Sequence, residues 1–125
     1  FQMLLPTAHA STPEAVMRYR VEPYVVAADV AGGEHAGRGG WTWYTGSAAL
    51  LWSVGMECLL GFEKRGSRVR LRPSAPADWP GYALEYRHGQ SVYVLRAVRG
   101  AAENDGWVEL VDDGMRHEAV YPLKR

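Results

Sequence analysis

The chain has 125 residues, 47% of them apolar and 22% charged, which is typical of a globular protein and not of a disordered one. Fourteen Lys and Arg balance fourteen Asp and Glu, so the net charge is zero and bulk electrostatics does not favour a nucleic acid or an anionic membrane as partner. The single cysteine, Cys58, excludes an internal disulfide and a thiolate metal cage and indicates a reducing, cytoplasmic location.

The longest uncharged run, Gly39 to Met56, has 18 residues. It is interrupted by Gly, Ser, Thr and aromatic residues, so it predicts buried protein and no membrane contact by this segment. Because the chain begins at Phe1 without an initiator methionine, we expect it to be a piece of a longer protein.

The first predicted elements are a loop and a short helix. Residues 1–11 are predicted to be a loop, with Pro6 as a breaker. A helix is predicted over 12–19, since Thr12 suits an N-cap and Pro13 the first helical position. A glycine-rich loop over 32–40 follows.

The second predicted helix, over residues 45–60, is apolar on every side. One face has the spacing i, i+3, i+4, i+7 and contains Ala48, Leu51, Trp52, Gly55, Met56, Leu59 and Leu60. The opposite face is nearly as apolar, and Gly61 suits a C-cap. Such a helix needs cover on all sides, which predicts that absent sequence or a second copy of the chain packs around it.

From Ser67 onward apolar and polar residues alternate with a period of two. The alternation predicts five short strands joined by hairpins, forming an antiparallel β-sandwich. The predicted fold class is therefore α+β. The domain prediction is a helical part over 1–62 and an antiparallel β domain over 63–125.

The segment most suggestive of chemistry is residues 37–48, with the sequence GRGGWTWYTGSA. Thr45, Gly46 and Ser47 open the apolar helix, and a helix N-terminus with free N–H groups suits an anion. The alternative is an ordinary N-cap with turn glycines, which is the commoner use of such residues.

Aromatic residues precede that helix start. Trp41, Trp43 and Tyr44 could form a stacking platform for sugar rings, or they could simply pack in the core. Arg38 could bind an anion or be a solvated loop arginine.

Other candidate groups carry little signal. Glu22 and Asp29 have no spacing that indicates a two-carboxylate glycosidase, so surface or salt-bridging roles are favoured. The four histidines lie too far apart to indicate a metal site.

Two long runs carry a family resemblance. The run from Tyr19 to Asp29 (YRVEPYVVAAD) and the run from Gly37 to Ala48 (GRGGWTWYTGSA) resemble the phosphorylases of glycoside hydrolase family 94, in particular the C-terminal region of cyclic β-1,2-glucan synthases. A later stretch, Pro76 to Gly81 (PADWPG), is also similar, and the resemblance covers roughly residues 1–98.

The resemblance implies a fold. Such enzymes have an (α/α)₆ barrel followed by a jelly-roll-like β domain. This chain would then hold the last barrel helices, up to about Phe62, and the C-terminal sheet.

The resemblance also implies an activity and its site. The family cleaves a β-glucosidic bond by inverting attack of inorganic phosphate, so β-glucan and phosphate are the implied partners and no cofactor is needed. The family's phosphate-binding pair falls on Thr45 and Gly46, with Gly39 and Gly40 shaping the adjacent loop. The catalytic acid would precede Phe1, so no catalytic residue is assigned and the isolated chain is predicted to be inactive.

Two other functions are compatible with the sequence. The sheet could be a non-catalytic module that contacts carbohydrate or has a structural role. Alternatively, the chain could be an oligomeric scaffold whose copies associate through the helix at 45–60.

Overall fold

A computed structural model describes residues 2–43 and 45–123, with the backbone alone for Gln2 and Thr45. The chain divides into two compact units, Phe1–Ser53 and Val54–Arg125, which we describe separately. The described residues contain a few helices and two small sheets, so the predicted α+β class is confirmed. No helix in those two ranges is long and apolar enough to cross a membrane.

The first unit begins with helical turns, so the prediction of a loop over 1–11 is wrong. A 3-10 helix covers Gln2–Leu4, and a single α-helical turn, α1, covers Pro6–His9. Pro6 starts α1 where a breaker was predicted, because the fixed φ of proline suits the first helical position and its missing N–H costs nothing there.

Helix α2 covers Pro13–Tyr19 and confirms the prediction of a helix over 12–19. The Thr12 hydroxyl accepts a hydrogen bond from the Ala15 N–H at 3.2 Å, as expected for an N-cap. The helix ends at Arg20, which has the left-handed φ of 59°. Tyr19 is fully buried, and its ring stacks on that of His9 with the ring centres 5.0 Å apart.

The predicted apolar helix is present. Helix α3 covers Thr45–Ser53, and a π-helix covers Val54–Leu59 directly after it in the chain. Gly61 has a φ of 68°, and a Cβ on it would lie 2.0 Å from the carbonyl oxygen of Arg72. Only glycine fits this position, which agrees with its predicted role at the helix end.

The second unit contains two three-stranded sheets. The strands are β1 Phe62–Arg65, β2 Arg68–Leu71, β3 Gly81–His88, β4 Ser91–Val98, β5 Val108–Glu109 and β6 Arg116–Pro122. The first sheet has the order β1-β2-β5 and is antiparallel, and the second has the order β3-β4-β6.

The prediction of five antiparallel strands is wrong in two respects. Strand β1 was missed, and β6 pairs with β4 in parallel, from Val92 opposite Arg116 to Val98 opposite Pro122. Parallel pairing needs a crossover, and here residues 99–115 cross through the other sheet, where β5 pairs with β2.

The second unit has a core that both sheets share. Alternation in β2 buries Val69 and Leu71 and leaves Arg68 exposed, as the period of two predicts. The buried members of this core are Val69, Leu71, Tyr93, Leu95, Ala97, Leu110, Tyr121 and Leu123.

Candidate functional site

The glycine-rich loop of the first unit is closed by a short ladder. Val30 and Gly39 form an isolated antiparallel bridge. On either side of it, the Ala31 N–H donates to the Arg38 carbonyl at 2.8 Å and the Ala28 N–H donates to the Trp41 carbonyl at 2.7 Å. This ladder fixes the backbone that leads into the aromatic segment.

Gly39 and Gly40 allow the ladder to pack closely. A Cβ on Gly39 would lie 2.3 Å from a Val21 methyl group, and one on Gly40 would lie 2.2 Å from the Asp29 carboxylate. Gly39 is required by the packing of the loop, since its added Cβ would also lie 3.0 Å from the ring of the buried Tyr19. At Gly40 the exposed Asp29 side chain would have to move aside.

The two tryptophans of the segment face solvent. Trp41 is 71% exposed and Trp43 is 66% exposed, so the alternative interpretation of core packing is wrong for both. Tyr44, the third aromatic residue of the predicted platform, lies outside the described residues. Aromatic side chains that are mostly exposed in a loop can stack on a ligand.

Trp43 is held in an unusual conformation by Glu22. Its φ is 61°, which costs a residue with a side chain roughly 1–3 kcal/mol. Its indole N–H donates to a Glu22 carboxylate oxygen at 3.1 Å. Hydrogen bonds from Glu22's own backbone N–H, and then from Trp43, lower the pKa of the Glu22 carboxyl. Glu22 therefore orients a tryptophan, a role that no local spacing indicated.

Helix α3 begins directly after this segment. Gly46 is exposed in its first turn, and a Cβ there would have no heavy atom of the described residues within 4 Å apart from its own helix backbone and chain neighbours. The side chain of Thr45 lies outside the described part of the chain, while Ser47 is half-buried. The backbone at Gly46 is thus open to the approach of a ligand.

Arg38 lines a shallow depression of about 410 Å³ together with Arg18 and Arg20. A carboxylate, that of Glu34, also lines this depression. Within residues 2–43 and 45–123, no group of three or more His, Cys, Asp or Glu residues could hold a metal ion.

Comparison with protein families matches part of the chain. Residues 1–61 match the Glycosyl hydrolase 94 superfamily, catalytic domain. This range contains the ladder, the exposed tryptophans and the first turn of α3.

Comparison with individual proteins gives relatives of two kinds. The chain is 56% identical over 123 residues to the cyclic beta-(1,2)-glucan synthase NdvB of Rhizobium meliloti (strain 1021), a match that covers 96% of the chain and 4% of that protein. It is 28% identical over 65 residues to a 3-O-beta-D-glucopyranosyl-beta-D-glucuronide phosphorylase of Paenibacillus borealis, covering 52% of the chain and 8% of the phosphorylase. It is 27% identical over 89 residues to a solabiose phosphorylase of the same organism, covering 70% of the chain and 12% of that protein. The chain thus spans a small part of each of these relatives.

Proposed function

This chain belongs, through residues 1–61, to the glycosyl hydrolase 94 superfamily, and from that premise we propose that it is a segment of a glycoside phosphorylase-like enzyme of the cyclic β-1,2-glucan synthase kind. The proposed enzyme acts on β-glucans by inverting phosphorolysis. The names of the relatives, a glucan synthase and two phosphorylases, support this reaction class.

One observation carries the proposal: two exposed tryptophans directly precede an open helix N-terminus inside the family-matched range. Aromatic faces suit the apolar faces of sugar rings, and the free N–H groups of a helix start suit phosphate. A phosphorolytic site needs both kinds of contact side by side.

We propose the following residue roles. The Thr45 hydroxyl and the Gly46 backbone N–H bind phosphate, and Trp41, Trp43 and Tyr44 contact the glucan. Gly39 and Gly40 shape the loop, while Arg38 supplies positive charge further along it.

The proposed reaction needs an acid as well as phosphate. A phosphate oxygen attacks the anomeric carbon while an acid protonates the departing glycosidic oxygen, and glucose 1-phosphate leaves. We assign that acid to the parent enzyme. Under this proposal, residues 1–62 supply the last helices of an (α/α)₆ barrel. Residues 63–125 form the jelly-roll-like β domain that follows the barrel.

The phosphate site is tested by the substitution Gly46→Ala in the full chain. The added methyl group meets no atom of the described residues, and alanine favours a helix over glycine by about 1 kcal/mol, so α3 is retained. We expect phosphate affinity, measured by NMR titration of backbone amides, to fall about tenfold, because the methyl group keeps phosphate from approaching the backbone N–H of residue 46 closely, although alanine retains that N–H.

The matched control is Gly32→Ala, since a Cβ on Gly32 also has nothing within 4 Å and its φ of −103° suits any residue. Phosphate binding equal in the two variants would contradict the proposed site. A second measurement addresses the missing acid: the chain incubated with β-1,2-glucan and phosphate should release no glucose 1-phosphate, and release would overturn the assignment of the acid to the parent enzyme.

A further inference from the structure

The second unit contains a polar groove that plays no part in the proposed phosphate site. Its volume is about 670 Å³, within the range of small-molecule sites, which is about 300–1,000 Å³. Its lining is largely charged and polar, unlike the apolar pockets that bind drug-like molecules. Its lining includes Glu57, Glu63, Arg70, Arg72, Ser74 and Asp105.

Arg70 lines the groove and is held in place by several contacts. Its Nε and Nη2 donate to one Glu63 oxygen at 3.1 and 2.9 Å, and its Nη1 donates to the backbone carbonyl of Asp105 at 3.3 Å. The guanidinium also lies 4.3 Å from the ring centre of Trp107. The side chain is only 15% exposed, so its orientation is set before any ligand arrives.

Other lining residues of the groove have hydrogen-bond donors and acceptors that a ligand could use. The Arg72 side chain is 65% exposed, and its Nη1 lies 3.7 Å from the second Glu63 oxygen. Among the residues that the structure describes, the Asp105 carboxylate and the Ser74 hydroxyl make no hydrogen bond. The groove therefore offers a guanidinium, a hydroxyl and two carboxylates to one ligand.

The charge of the groove disfavours an anionic ligand. Its lining includes the carboxylates of Glu57, Glu63 and Asp105 against the two guanidiniums of Arg70 and Arg72. The excess of negative charge disfavours phosphate. A ligand hydroxyl, in contrast, both donates and accepts, and so can satisfy carboxylates and guanidiniums placed side by side.

We propose that this groove binds a neutral polyhydroxylated ligand, a short stretch of β-glucan, as an accessory site remote in sequence from residues 37–48. The chemistry of the groove selects a hydroxyl-rich ligand, and the choice of β-glucan rests on the proposed function. The site holds the polysaccharide without acting on it.

The test is an NMR titration of the full chain with a linear β-1,2-linked glucan oligosaccharide. We expect amide shifts at Arg72, Ser74 and residues 103–105. Arg72→Ala and Asp105→Asn should each weaken binding there about tenfold, the loss of one hydrogen bond to a charged group. Arg72 donates its backbone N–H to the Gly61 carbonyl in either variant, so the strand is retained.

The matched control is Arg96→Ala, which removes an arginine that lies 3.7 Å from Glu118 on the other sheet and should bind glucan as the parent chain does. Absent amide shifts at Arg72, Ser74 and residues 103–105, or equal affinity in Arg72→Ala and Arg96→Ala, would overturn the accessory site. The phosphate titration of Gly46→Ala is a separate experiment. The accessory-site proposal can therefore be wrong while the proposed function is supported, and the proposed function can be wrong while glucan binding in the groove is supported.

Discussion

Ser91, Asp113 and His117 have the residue types of a catalytic triad but a structural role. The buried Ser91 hydroxyl donates to the Asp113 carboxylate at 2.9 Å and accepts the N–H groups of Asp113 and Gly114 at 2.9 and 3.0 Å. The His117 Nε2 lies 2.9 Å from the same carboxylate. In an activated serine the base contacts the hydroxyl, whereas here the carboxylate lies between serine and histidine. The trio therefore fixes the turn that precedes β6.

Asp113 makes this turn sensitive to acid. Hydrogen bonds from His117 and from the Met115 N–H lower the pKa of its carboxyl from 3.8 to about 2. A group with a depressed pKa contributes stability above its unfolded pKa, and that contribution is lost as the pH falls through the folded pKa. We expect Asp113→Asn to be less stable than the parent chain at pH 5, with the difference shrinking between pH 4 and pH 2. Urea unfolding across this range measures it, and Asp78→Asn, on an exposed loop, is the control. A difference that does not change with pH would contradict the assignment.

At the level of secondary-structure elements, the sequence predicted the features that depend on residues adjacent in the chain. Thr12 and Pro13 marked the start of α2, and the apolar run marked the helix over residues 45–60. Contacts between distant residues left no such signal. The hydrogen bond from Trp43 to Glu22 joins residues 21 positions apart, and the parallel pairing of β4 with β6 depends on a crossover through another sheet.

Helix α3 exposes large apolar side chains, as expected for a helix that was predicted to need packing partners on all sides. Leu50 is 66% exposed and Trp52 is 65% exposed, although they lie about 200° apart around a helix that turns about 100° per residue. Opposite sides of the helix are thus both open to water, which favours association with another apolar surface.

We expect the isolated chain to self-associate through this helix. The double substitution Leu50→Glu with Trp52→Glu should lower the fraction of dimer in sedimentation velocity, because charged side chains resist burial. Met17→Glu is the matched control, since Met17 is a 74% exposed apolar residue on helix α2. Equal association of the double variant and the control would show that α3 is not the contact.

At the scale of the whole molecule, the two units differ in how their interiors are built. The described core cluster lies entirely in the second unit and includes large side chains that are fully buried, such as Tyr93 and Tyr121. In residues 2–43 the buried hydrophobic side chains are those of Tyr19 and Ala27, together with the ring of Pro6. A smaller buried apolar area gives less free energy of unfolding, so the second unit should be the more stable of the two.

Hydrogen exchange on the full chain tests this ranking. We expect amides of β3 and β4 to exchange more slowly than those of residues 2–43. Leu95 is 1% exposed in the core, and Leu95→Ala should cost roughly 2–5 kcal/mol and speed exchange throughout β3, β4 and β6. Leu50→Ala, at an exposed site, is the control and should leave those strands unchanged. If the amides of residues 2–43 were protected as strongly as those of β4, the ranking would be wrong, because the first unit would then draw on stabilising contacts beyond its own small interior.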